Sequence, residues 1–224
     1  MRALTLRLYE DLLPADCPPV FLPATPRALY VVDGGLTLEG PDDGQWLTAG
    51  TARVSQDCTT LIGDRTDTRI WRWELTDASM PVAHVLPSAP ATSTTLKLEA
   101  DVALDPRFEW LMRCDEVGFP PGGVALTHVH QGPGIRICAS GEISIETQGK
   151  RHTHAPGEAW FELGPAPVLA PTTEDSSTRF VRCFLLPRAV RSRSSIRYVR
   201  PEDASAPKVQ TYRVFAERDI ELPA

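Results

Sequence analysis

Asparagine is absent from the 224 residues, and lysine occurs only at Lys97, Lys150 and Lys208. The basic charge is almost all arginine, which reads as the coding bias of a GC-rich bacterial genome rather than as a mechanism. The balance is nonetheless acidic, at −6. An acidic chain is a poor match to nucleic acid or an anionic membrane, and neither is expected as a partner. The cluster Arg188, Arg191, Arg193, Arg197 and Arg200 is a local exception and reads as a solvated loop and strand edge. No apolar run approaches the roughly 20 residues a membrane helix needs. No basic start followed by an apolar run and cleavage site is present either, which leaves the cytoplasm as the expected location. The five cysteines form an odd set without CxxC spacing. That fits reduced, mostly buried thiols better than a disulfide framework. There is no phosphate loop, no GxSxG elbow and no HExxH helix. Helical periodicity is scarce, with short candidates only at 9–13 and 188–192.

What is present is a period-two rhythm punctuated by 21 Pro and 15 Gly. Strand-like runs fall at 27–32, 36–39, 69–75, 135–140, 143–147, 159–163, 179–186, 196–199 and 210–215. Short strands with frequent turns predict an all-β sandwich or barrel. The chain also repeats itself. A single offset lays Pro26 on Pro133, Gly34 on Gly141, Glu39 on Glu146, Gly50 on Gly157 and Ala52 on Ala159. A slightly longer offset lays Thr68-Arg69-Ile70-Trp71-Arg72 on Thr178-Arg179-Phe180-Val181-Arg182. Turn glycines and strand patterns move together, as in two copies of one β module. The Pro/Ser/Ala/Thr segment 86–95 has linker composition, giving expected domains at 1–90 and 91–224.

The chemistry concentrates in Thr127-His128-Val129-His130-Gln131-Gly132-Pro133-Gly134-Ile135-Arg136. Alternation in a strand puts His128 and His130 on one face. A tight turn then carries Arg136 back toward them. The first copy has Phe21 and Pro23 at the histidine positions and reads as scaffold. A second HxH, His152 and His154, sits among basic residues and reads as an exposed hairpin end. His84 has no partner in sequence.

The HxH strand, the turn, Gly141-Glu142 and Ala155-Pro156-Gly157-Glu158 resemble the cupin superfamily, well over 122–187 and weakly over 18–77. The resemblance implies two tandem antiparallel jelly-roll barrels, a bicupin. It also implies His128 and His130 as ligands of a divalent metal ion (Fe, Mn, Ni or Zn). The family pattern places a glutamate ligand after the HxH and a further histidine on a later strand. Gly134 and Val168 occupy those slots here.

Counting by alternation from the Gly134 slot turns Arg136, Cys138 and Ser140 inward. An inward guanidinium needs either an anionic substrate or an internal partner, for which Glu162, Glu146 and Glu109 are candidates. Glu162 could be a third ligand, a general base or simply the partner of Arg136. Trp160 is a candidate to line the pocket, and Cys138 reads as a small buried hydrophobe. Two functions follow. One is a metal-dependent enzyme, oxygenase- or isomerase-like, acting on a small carboxylated substrate held by Arg136. The other is a metal-free module that cradles a small anion between His128, His130 and Arg136. Strand-like tails at 3–9 and 210–215 invite edge pairing in a homodimer.

Overall fold

The computed structural model describes every residue except 1, 83–85, 87, 90 and 224, together with the side chain of Arg2. His84 therefore lies outside the described residues. The chain forms two compact units, 1–112 with 218–224, and 113–217.

In the first unit the strands are β1 (Arg2–Leu13), β2 (Val20–Leu22), β3 (Arg27–Asp33), β4 (Gly35–Glu39), β5 (Gly44–Thr48), β6 (Ala52–Ser55), β7 (Thr59–Gly63), β8 (Thr68–Asp77) and β9 (Ser93–Leu104). They build one sheet in the order β6-β3-β8-β1-β9 and another in the order β2-β7-β4-β5. Leu29, Val31 and Ile70 of the first sheet meet Leu36, Leu38 and Leu61 of the second in a shared apolar core. The second unit carries β10 (Trp110–Phe119), β11 (Val124–His130), β12 (Gly134–Ser140), β13 (Ile143–Thr147), β14 (Lys150–His154), β15 (Ala159–Glu162), β16 (Val168–Pro171), β17 (Thr178–Pro187), β18 (Ile196–Tyr198), a short helix α1 (Pro201–Ser205) and β19 (Thr211–Ile220). Its sheets run β15-β12-β17-β10-β19 and β14-β13-β16-β11-β18. The pairing is antiparallel wherever its register is described. Each unit is thus a two-sheet β barrel.

The sequence repeat is visible as matching register. In the first barrel β3 pairs with β8 as Arg27 with Glu74, Leu29 with Arg72 and Val31 with Ile70. In the second, β12 pairs with β17 as Gly134 with Phe184, Arg136 with Arg182 and Cys138 with Phe180. An irregularity interrupts both ladders at the same place, between Val31 and Asp33 and between Cys138 and Ser140. The turn that follows is shared as well. Gly34 and Gly141 adopt φ of 76° and 73°, and a Cβ on either would strike the threonine at the start of the next long strand, Thr68 or Thr178. Only glycine meets both demands cheaply.

The structure departs from the sequence reading at three places. The 9–13 stretch continues the strand β1, because Leu8 and Tyr9 are buried in a sheet rather than along a helical stripe. At 188–192 there is a single 3₁₀ turn, Arg188–Val190. The compact units divide at 112/113, whereas linker composition places the boundary at 90/91. The residues after that linker form β9, which pairs with β1 along most of its length and so extends the first barrel.

The first barrel is filled at one end by ion pairs. Arg72 Nε lies 2.6 Å from Asp11 Oδ2 and its Nη1 2.8 Å from Glu74 Oε2, while Arg27 Nε lies 2.7 Å from Glu74 Oε1. Thr94 donates to Asp11 at 2.7 Å, and the Arg72 guanidinium stacks on Tyr9. Burial works to raise the Glu74 pKa, but Arg72 and Arg27 outweigh it and hold the carboxyl below its ordinary value of 4.5. A depressed folded-state pKa gives stability that is present above the unfolded value and lost as pH falls through the folded one. Glu74→Gln should therefore destabilise the first barrel by about 3 kcal/mol in urea unfolding at pH 7. The gap between wild type and variant should narrow on acidification below pH 4.5.

Candidate functional site in the second barrel

β11 ends in the two histidines. His128 and His130 are 5% and 3% exposed, with ring centroids 4.8 Å apart and planes at 80°. His128 Nδ1 donates to the Leu126 carbonyl at 2.7 Å, and His130 Nδ1 to the Ser195 carbonyl at 3.3 Å. A carbonyl only accepts, and the Ser195 carbonyl is nearer to His130 Nδ1 than the Ser195 hydroxyl at 3.5 Å, so the proton of each neutral ring is assigned to Nδ1 and Nε2 is left as an acceptor. Burial lowers the His128 pKa against the pull of the Leu126 carbonyl. Burial, then the Arg182 and Arg136 guanidiniums, hold His130 well below the ordinary histidine range. Both imidazoles are therefore neutral at pH 7.

Gly134 and Val168, the two slots without ligand side chains, have definite surroundings. Val168 is the register partner of His128 across β11 and β16. Gly134 is the register partner of Glu162 across β12 and β15. A Cβ at Gly134 would strike the Cys183 carbonyl and lie 3.0 Å from the Phe184 ring and 3.2 Å from Arg136 Nη1. The space that a glutamate at this position would use is taken by the Arg136 guanidinium. That group donates to the Gly134 carbonyl, packs on Phe184 with 4.6 Å to the ring centroid, and lies 2.9 Å from Glu162 Oε2 through Nη2. Burial lowers the Arg136 pKa to about 10 against the pull of Glu162, so the guanidinium stays charged at pH 7.

Glu162 is the internal partner among the three carboxylates considered from sequence. Its Oε1 accepts from Trp160 Nε1 at 2.9 Å. Its Oε2 takes no hydrogen bond from the protein, because the approach of Arg136 Nη2 is close enough for an ion pair but not angled for a hydrogen bond. The same Oε2 lies 3.8 Å from His130 Nε2. Beside this group Arg182, which also lines the barrel cavity, pairs with Asp115, whose second oxygen accepts from the Tyr212 hydroxyl at 2.8 Å.

His128, His130 and Glu162 face a cavity of about 220 Å³. Its walls include Phe119 of β10, Ile143 and Ile145 of β13 and Phe180 of β17. Ser195, Ile196, Lys208, Gln210 and Tyr212, from the segment that follows β17, close one side. The sequence shows strand-like runs at 196–199 and 210–215 but gives them no part in the site, because their polar side chains carry no mark of a pocket wall.

Two expected substrate contacts do not reach this cavity. Arg136 is 1% exposed and committed to Glu162 and the Gly134 carbonyl beneath the floor. Trp160 lies behind Glu162, with its ring stacked on His154 at 4.9 Å and edge-on to Phe180. His152 is exposed on β14, as expected of a hairpin end. Cys138 is buried, and burial pushes its thiol up to about 11.

The residues present do not fit a divalent ion. A catalytic site of that kind takes three protein ligands as a rule. Among the described residues no three His, Cys, Asp or Glu side chains gather as a metal-binding group. The one carboxylate beside the histidine pair already balances Arg136, and two guanidiniums act on His130. The expected anion cradle fails for a related reason, since its histidines are neutral and its arginine is paired.

If the Arg136–Glu162 pair is buried and mutually dependent, Arg136→Leu should cost about 3–5 kcal/mol by stranding a carboxylate. Arg136→Leu with Glu162→Leu should recover most of that loss. Chemical denaturation of the two single variants and the double variant checks the coupling.

No family model matches the sequence, and no curated protein matches it. Solved structures do. The 11S allergen of Cocos nucifera aligns with a TM-score of 0.59 at 9% identity, over 87% of this chain and 83% of its own. AerE from Microcystis aeruginosa aligns at 0.57 and 11% identity, over 80% and 87%. A variant of salicylate 1,2-dioxygenase from Pseudoaminobacter salicylatoxidans aligns at 0.55 and 9% identity, over 94% and 74%. Identities this low speak to the fold alone. The 11S allergen, the dioxygenase variant and this chain share one architecture, two tandem β barrels, which is the fold that the cupin resemblance implies.

Proposed function

We propose that the second barrel is a metal-free receptor for a small, largely apolar molecule, bound over His128, His130 and Glu162. The observation that supports this reading most is the Arg136 guanidinium lying over Gly134 and against Glu162. It occupies the place of one metal-ligand side chain and neutralises the carboxylate that could replace it. The cavity that remains has apolar walls and a compact polar floor, the usual make-up of a small-molecule site. At about 220 Å³ it is below the few hundred Å³ typical of drug-sized ligands, which restricts the occupant to about one ring. A dry apolar cavity of about 150 Å³ is enough for benzene.

The dioxygenase among the structural neighbours raises the rival reading of a metal-dependent enzyme. Thermal-shift and calorimetric titration with one-ring compounds separates the two. Binding should be equal in EDTA and after addition of Fe, Mn, Ni or Zn, and Ala170→Trp, which fills the cavity from β16, should abolish it in a folded protein. Binding that appears only when one of those ions is restored would establish the metal-dependent reading instead.

A further inference from the structure

We infer that the ligand presents a neutral hydroxyl, as a hydrogen-bond donor, to the floor of the second-barrel cavity. This rests on the metal-free reading above and narrows it to one chemistry. The first argument is an inventory of donors and acceptors. His128 and His130 spend their Nδ1 protons on the Leu126 and Ser195 carbonyls. Their Nε2 atoms can then only accept. Glu162 Oε2, on a side chain 7% exposed, takes no hydrogen bond from the protein and is an acceptor too. It faces His130 Nε2 across 3.8 Å, a separation at which two acceptors have nothing to exchange with each other. A buried acceptor without a donor is costly. The group that relieves this floor must donate.

Charge decides which donor. Glu162 and Asp115 are matched by Arg136 and Arg182, so the floor is balanced. An ammonium head would bring a third cation into that balance and would sit in the positive field of both guanidiniums. A carboxylate head fares no better: Arg136 Nη2 has no hydrogen bond of its own but lies beneath the floor, outside the cavity lining and 2.9 Å from Glu162 Oε2, and Arg182, which does line the cavity, is directed at Asp115. The Tyr212 hydroxyl is likewise spent on Asp115. Lys208 lines the cavity but is exposed, donates to the Asp203 carbonyl and lies over the Tyr198 ring. A neutral hydroxyl donates without altering the balance, and Phe119, Phe180, Ile143 and Ile145 suit an apolar ring behind it.

The test compares five compounds of one size in EDTA-treated protein by ligand-detected NMR titration. They are phenol, anisole, toluene, benzoate and benzylammonium. Phenol should bind at least tenfold more tightly than toluene and anisole, since anisole keeps the oxygen but cannot donate. In His130→Phe, toluene binding should persist while the preference for phenol falls below threefold. If that variant does not fold, His128→Phe should show the same collapse. Equal binding of phenol and toluene would overturn the hydroxyl head and leave the apolar receptor standing. Tighter binding of benzoate or benzylammonium would overturn its neutrality. No binding of any of the five would overturn the receptor reading as well.

Discussion

The guanidinium of Arg136 in a closed barrel is the constraint from which the rest of the second unit follows. A charge at 1% exposure must be answered from within, because an unpaired one costs several kcal/mol. Glu162, directly across the ladder from Gly134, supplies the answer. That commitment goes with the missing side chain at position 134 and ties the carboxylate to Arg136. It also adds to the burial and the Arg182 charge that together keep the His130 imidazole neutral. One substitution pattern thus sets the protonation, polarity and chemistry of the floor.

The two barrels are two treatments of the same scaffold. Corresponding strands keep an Arg–Asp pair, Arg72 with Asp11 and Arg182 with Asp115. Around it the charges are redistributed. The register position held by Gly134 is Arg27 in the first barrel, that of Arg136 is Leu29, that of Glu162 is Ser55, and that of Phe184 is Glu74. The first barrel places its additional arginine and glutamate against each other and against Arg72, and its end of the barrel becomes a closed ionic network. The second replaces that network with glycine, an aromatic ring and a single Arg–Glu pair, beside a cavity large enough for a ring-sized guest. The absence of histidines at Phe21 and Pro23 is one part of this difference. The network that fills the interior is the larger part.

Most of the fold was legible in the sequence because period-two alternation and turn glycines are local signals, and their repetition at one offset is hard to produce otherwise. The strands that escaped notice carry charge where a strand is expected to be apolar. β10 reads Trp110-Leu111-Met112-Arg113-Cys114-Asp115, and Arg113 and Asp115 are buried only because Glu217 and Arg182 lie far along the chain to receive them. β9 lies at a sheet edge with much of its length exposed, so its pattern is diluted. The histidine pair and the partnership of Arg136 with Glu162 were within reach of strand alternation. The direction of each ring proton was not, because it depends on the carbonyls of Leu126 and Ser195, and backbone carbonyls have no signature in a sequence.

The wall formed by residues 194–212 sets a clock. It is built from a three-residue strand, a five-residue helix and largely exposed side chains, and segments of that kind open at a fraction of the free energy of global unfolding. Its β18 part is paired with the histidine strand β11, so the part beyond β18 is what can open while the strands holding His128, His130 and Glu162 stay in place. On the proposed reading, occupancy is then governed by the rigid floor and residence time by the soft wall. On the same reading, changes at 200–212, beyond Ser195 and the β18 residues that pair with β11, alter how long a guest stays more than which guest is chosen.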